Sequence, residues 1–76
     1  MNKIRRKTLQ ELYDIIADAK DNLDEVRDEE DDCKENIPEN LQGSERYEIA
    51  EAAVDALESA ISSLEEALDS IEEAMQ

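Results

Sequence analysis

The segment Asn36-Ile37-Pro38-Glu39-Asn40-Leu41-Gln42-Gly43-Ser44 decides the fold, because it holds the chain's one proline and its one glycine. Pro38 disfavours helical backbone at Ile37, so a helix arriving from the N-terminal side ends near there. Ser44 is suited to cap a second helix, and Glu45 and Glu48 bring favourable negative charge into its first turn. With no breaker elsewhere in the 76 residues, both flanks are free to form long helices. A connection this short makes them antiparallel neighbours. The expected fold is all-α: an antiparallel, coiled-coil-like two-helix hairpin in a single domain over 1–76. Its expected bounds are helix 1 at about 3–36, the turn at about 37–43 and helix 2 at about 44–75.

Working outward, apolar residues recur at alternating steps of three and four on both sides of the turn. The first half reads Leu9, Leu12, Ile16, Ala19, Leu23 and Val26, then Cys33 and Ile37, with Glu30 filling the gap. The second reads Tyr47, Ala50, Val54, Leu57, Ile61, Leu64, Leu68, Ile71 and Met75. That rhythm is the a and d pattern of a heptad and predicts one apolar seam per helix. A turn near Asn40 then sets Val26 against Val54, Leu23 against Leu57, Ile16 against Leu64 and Leu12 against Leu68. The e positions are Tyr13, Lys20, Arg27 and Lys34 on helix 1 and Glu51, Glu58, Glu65 and Glu72 on helix 2. In an antiparallel pair e faces e, so bases meet acids along one edge and specify orientation. Each exposed pair is worth under ~1 kcal/mol. On the other edge the g positions of helix 2 are all alanine: Ala53, Ala60, Ala67 and Ala74. Glu30 reads either as a partly exposed, register-setting residue or as a weak point that lets this end open. Cys33 reads as a small seam residue, or else as a crosslink in a dimer.

Apolar residues beyond the seams have no place inside one hairpin. They are Ile4, Tyr13 and Ile15 on helix 1, with Ile49, Ala52 and Ala56 on helix 2. They imply either a homodimer, giving a four-helix bundle, or a docking face for a target, since small isolated hairpins are marginal.

Charge narrows the function. The net charge is −15, from 8 basic and 23 acidic residues. Such a chain repels nucleic acid and anionic membranes and attracts basic surfaces. Lys3, Arg5, Arg6 and Lys7 supply half of the bases, and removing those four leaves the remainder at −19. This basic start reads as an internal counterbalance, facing Glu72 and Glu73, with contact to nucleic acid or lipid headgroups as the alternative. The outward c and f positions of helix 1 are all acidic: Glu11, Asp14, Asp18, Asp21, Glu25, Asp28, Asp32 and Glu35. At ~1.5 Å per residue they form a ridge about 36 Å long, with one carboxylate per roughly 5 Å. A DNA strand carries one phosphate per ~3.4 Å.

A solvated face is the plain explanation of a charge run. Ordinary surface helices mix signs, however, because opposite pairs four apart stabilise and like pairs destabilise. This ridge holds no base, and most of its residues are Asp, a weaker helix former than Glu. These eight residues are therefore the candidate partner-binding site. The expected partner is a basic protein surface, such as a groove built for nucleic acid, with no direct binding of nucleic acid or membrane.

Catalysis finds no support. There is no histidine, no nucleophile beside a plausible base and no glycine-rich loop. The run Asp28–Asp32 lacks the glycine turn and spacing of an EF-hand, so neither a metal site nor a cofactor is expected. No apolar run approaches the ~20 residues needed to span a bilayer. Met1–Lys7 does not lead into the apolar stretch of a secretory leader. Cys33 is the one cysteine. The expected setting is the cytoplasm.

The turn residues Asn36-Ile37-Pro38-Glu39-Asn40-Leu41-Gln42, followed by Ser44-Glu45-Arg46, resemble a pattern found in short acidic helical-hairpin proteins of Gram-positive bacteria and their phages. That resemblance implies the hairpin and assigns no functional residue. In size and charge the chain is also similar to phage DNA-mimic inhibitors such as anti-CRISPR proteins, which present acidic surfaces to nucleic-acid-binding grooves. The leading functional expectation is thus a non-enzymatic inhibitor that occupies the basic nucleic-acid-binding groove of a host defence protein such as a CRISPR effector. Two alternatives are a self-associating structural or adaptor protein, and a regulatory partner of a transcription or replication factor.

Overall fold

A computed structural model describes all 76 residues. Helix α1 runs Lys3–Glu35 and helix α2 runs Glu45–Met75, joined through a short 3-10 turn at Glu39–Leu41. There is no strand, and the two helices pack against each other as a hairpin.

The breakers act as their chemistry requires. Pro38 is extended, with φ −51° and ψ 141°, and α1 ends before it. The Pro38 carbonyl accepts from the Leu41 amide at 2.8 Å, and the Leu41 carbonyl accepts from Ser44 at 3.0 Å. Ser44 caps α2 by accepting from the Tyr47 amide at 3.4 Å. Asn2 caps α1 in the same way, accepting from the Arg5 amide at 2.7 Å. Gly43 has an ordinary negative φ, and a β-carbon built there meets nothing within 4 Å. Its place in the turn does not depend on being glycine.

Packing departs from the expected seam on one helix only. The buried residues are Ala50, Val54, Ile61 and Leu68 of α2, plus Ile37 at the turn. All four from α2 are a or d positions, as its rhythm requires. Helix α1 contributes no buried side chain. Its d positions face outward: Leu12 is 46% and Val26 48% exposed, and Ala19 and Cys33 are exposed too. Half-buried in their stead are the e positions Tyr13, Lys20, Arg27 and Lys34, beside Leu9, Ile16, Leu23 and Glu30 at a and Ala17, Asp24 and Asp31 at b. On a helical wheel e lies ~40° to one side of a, and d ~60° to the other. Exchanging d for e therefore turns α1 by about 50°. The expected partners Leu12 and Val26 are thus peripheral to Leu68 and Val54, and Cys33 is not a seam residue.

The rotation has a physical cause. Lys20, Arg27 and Lys34 have side chains only 22%, 28% and 15% exposed. Their aliphatic stems can cover apolar surface while their charged ends stay wet. Long stems shield the stripe of α2 better than Ala19 or Cys33 would.

The resulting rod has Cα extents of 59 × 14 × 13 Å and a radius of gyration of 17.4 Å. Its accessible surface is 5684 Å², whereas a compact monomer of 8.6 kDa exposes about 4,700 Å².

Two turn variants test these assignments in denaturant unfolding. Ile37→Ala removes the plug at the closed end and should cost about 2–5 kcal/mol. Gly43→Ala should add about 0.4–1 kcal/mol, by restricting the unfolded chain.

Candidate partner-binding surface

All eight ridge carboxylates are exposed, but they divide into two rows. The f row, Asp14, Asp21, Asp28 and Glu35, lies toward the covered e edge and is engaged from there. Asp14 accepts from Gln10 at 3.1 Å. Asp28 meets Arg27 at 3.1 Å, and Asp21 and Glu35 meet Lys20 and Lys34 at 4.0 Å. The c row, Glu11, Asp18, Glu25 and Asp32, forms no ion pair within 4.0 Å. The ridge is accordingly cation-free along c alone. Its f row is flanked by bases that the heptad assignment had turned toward α2.

Those bases bond chiefly within their own helix. Lys20 holds Asp24 at 3.2 Å and Lys34 holds Asp31 at 3.2 Å, while Arg27 spans Asp24 at 3.7 Å as well as Asp28. Of the expected cross-edge ion pairs, only Lys20–Glu65 forms, at 3.5 Å. A neutral contact, Tyr13 Oη donating to Glu72 at 2.9 Å, marks the same antiparallel register. Arg27 and Lys34 do not reach Glu58 and Glu51. The basic start also finds no carboxylate within 4.0 Å. The Arg6 guanidinium donates to the Met1 carbonyl at 3.3 Å, and the expected pairing with Glu72 and Glu73 does not occur.

Rotation of α1 sorts the hairpin into two unlike faces. One combines the b and f residues of α1, including Asp24 and Asp31, with the exposed e glutamates of α2. The ridge is therefore the border of a wider acidic field, to which Glu51 and Glu58 add unpaired charge. Spacing alone assigned these glutamates to partners across the edge. The clue that could have placed them is an acid one, three or four residues from every e-position base, which offers that base a nearer partner. The opposite face carries Leu12, Ile15 and Val26 of α1 beside Ile49 and Ala56 of α2. Ile15 and Ile49 are each 63% exposed there.

No three acidic or thiol side chains converge to hold a metal ion. No helix is long and apolar enough to cross a membrane. The surface concavities are two shallow grooves, one at each end of the rod. Compared with family models, curated proteins and solved structures, the chain matches none.

Three groups titrate away from their ordinary values. Tyr13 is raised above 10.0, first by its hydrogen bond to Glu72. Lys20 is raised above 10.5 by its bond to Asp24, and Lys34 by its bond to Asp31. In each case the fold holds the proton more tightly than the unfolded chain does. Their contribution is complete below the unfolded values and disappears as pH rises through the folded ones. Melting temperature should hence show no loss from these groups near neutrality and a fall above about pH 10. Tyr13→Phe should remove part of that alkaline fall, as read by circular dichroism melts across the range.

Proposed function

We propose that this protein is a non-enzymatic inhibitor that occupies a basic nucleic-acid-binding groove on another protein, in the manner of a nucleic-acid mimic. The observation that carries the reading is the c row. Glu11, Asp18, Glu25 and Asp32 stand in a line, exposed and without an intramolecular cation. Each of these carboxylates lies three or four residues from an f-row acid, and like charges at that spacing cost helix stability; a basic groove would relieve that cost on binding.

The dimensions support the same reading. Cα extents of 59 Å along and 14 × 13 Å across describe a narrow rod, a shape that can lie lengthwise in an elongated groove. Its regular carboxylates give Lys and Arg side chains the kind of spaced anionic contacts that phosphates give them. The f row and Glu51 and Glu58 widen the field, so a partner able to curl around α1 would meet acids on its flank as well as its crest. Grooves of this kind occur on host defence nucleases such as CRISPR effectors, and the proposed setting is the cytoplasm, where such enzymes act.

Binding should be screened against a panel of basic nucleic-acid-binding proteins, with labelled DNA as competitor and salt as the variable. Affinity should fall steeply with salt, and DNA should displace the protein. The variant Glu11→Lys, Asp18→Lys, Glu25→Lys, Asp32→Lys should lose binding by at least tenfold while keeping its helical circular dichroism. Reversing Asp14, Asp21, Asp28 and Glu35 should weaken binding less, because three of these four already face a base. Binding indifferent to both salt and the c-row variant would refute the proposal.

A further inference from the structure

The face opposite the acidic field is almost free of charge. It comprises the d and g positions of α1 from Thr8 to Cys33 and the g and c positions of α2 from Ile49 to Ala74. In a chain that is 41% charged, these positions carry one charge, Glu29, and Arg5 and Arg46 follow at the same heptad positions just beyond them. It also holds Leu12, Ile15, Val26 and Ile49, each between 46% and 63% exposed.

We infer that this face pairs with the same face of a second copy, end for end, to give a two-fold symmetric four-helix bundle. The inference does not rest on the acidic row having a partner.

Area identifies the occupant as one of the chain's own size. The hairpin exposes about 1,000 Å² more than a compact protein of its mass. A standard interface buries about 800 Å² per partner, and a face of 59 × 14 Å offers roughly that. Charge favours a second copy over a basic target, because a basic surface laid here would meet alkyl groups and forgo the carboxylates on the other side. Two copies stacked by these faces leave both acidic fields outward.

Two symmetric stackings are possible, and the charges choose between them. Residues 28–52, the turn end, hold ten acids and two bases, a formal −8. At the open end, residues 1–10 hold four bases and no acid, balanced by four acids in residues 66–76. Stacking turn over turn would set −8 against −8. Stacking end for end lays the basic start of each copy over the turn end of the other.

Shape agrees with that choice. Both shallow grooves lie on this face. One, at the open end, contains Arg5 and Leu9; the other, at the turn end, contains Glu30 and Arg46 with Cys33 and Ile49. The outward d positions 5, 12, 19, 26 and 33 are symmetric about Ala19. With Ala19 on the two-fold axis, Leu12 meets Val26 of the other copy, and Arg5 meets the groove beside Glu30.

The single exposed thiol, Cys33, makes the test direct on the unaltered sequence. Light scattering should give twice the 8.6 kDa chain mass. Spin labels on Cys33 should lie about 40 Å apart, being 28 residues apart along the stacked helices at ~1.5 Å each. Turn-over-turn stacking would bring them within about 20 Å, because diagonal helices in a bundle are only some 14 Å apart. A short distance, or a single-chain mass at concentrations near 100 µM (roughly what a weak dimer needs), overturns the inference. The double variant Ile15→Glu, Ile49→Glu should halve the mass. If it stays helical and dimeric, this face is not the interface; if it fails to fold, the label distance in the unaltered chain still decides.

Discussion

Lys20, Arg27 and Lys34 lie along the covered edge of α1, and where their charged ends go governs how the helices meet. Each is bound within its own helix, to Asp24, Asp24 with Asp28, and Asp31. That anchoring lays the stems flat toward α2, where they serve as one wall of a thin core. With the e positions drawn inward, the d positions must swing out. The exposure of Leu12 and Val26, the absence of any buried side chain on α1 and the division into two unlike faces all follow from this one turn of the helix. The core is consequently lopsided: α2 supplies four buried apolar side chains, and α1 answers with half-buried ones and alkyl stems.

The same turn gives the acidity its form. Had the bases reached across to Glu51 and Glu58, the f row would be free and the edge neutral. Their choice of local partners compensates Asp21, Asp28 and Glu35 and leaves those two glutamates, like the c row, without a counter-ion. Free charge is therefore distributed on both sides of a lightly paired strip, and the uncharged side is left continuous. A strongly charged surface and a nearly uncharged one coexist on a rod 14 Å thick because two helices side by side have just two broad faces.

Much of this was legible from composition and spacing. Pro38 and the capping serine at 44 placed the turn, and the uninterrupted stripe from Tyr47 to Met75 gave the packed face of α2. All eight ridge residues are exposed as their spacing implies, since c and f point away from α2 under either rotation of α1. What spacing could not give was the rotation itself. Heptad logic ranks Leu12 and Val26 above Lys20 and Arg27 as core residues, because it scores a lysine by its charge and not by its four methylenes. It also pairs charges across an edge without weighing a nearer acid on the same helix. Cys33 was misplaced for the first reason, and Arg27–Glu58 and Lys34–Glu51 were mispaired for the second. Asn2 as the cap of α1 went unread, although Asn ranks among the best residues for that position.

The length of the rod has a hydrodynamic consequence. Compact chains follow a scaling in which a radius of gyration of 17.4 Å belongs to a globule of roughly 230 residues, about three times the 76 present. Through a sieving matrix, one hairpin would therefore travel in the company of far heavier proteins. A second hairpin laid alongside the first thickens the rod with little change in its length, so its mass would double while its elution volume moved only slightly.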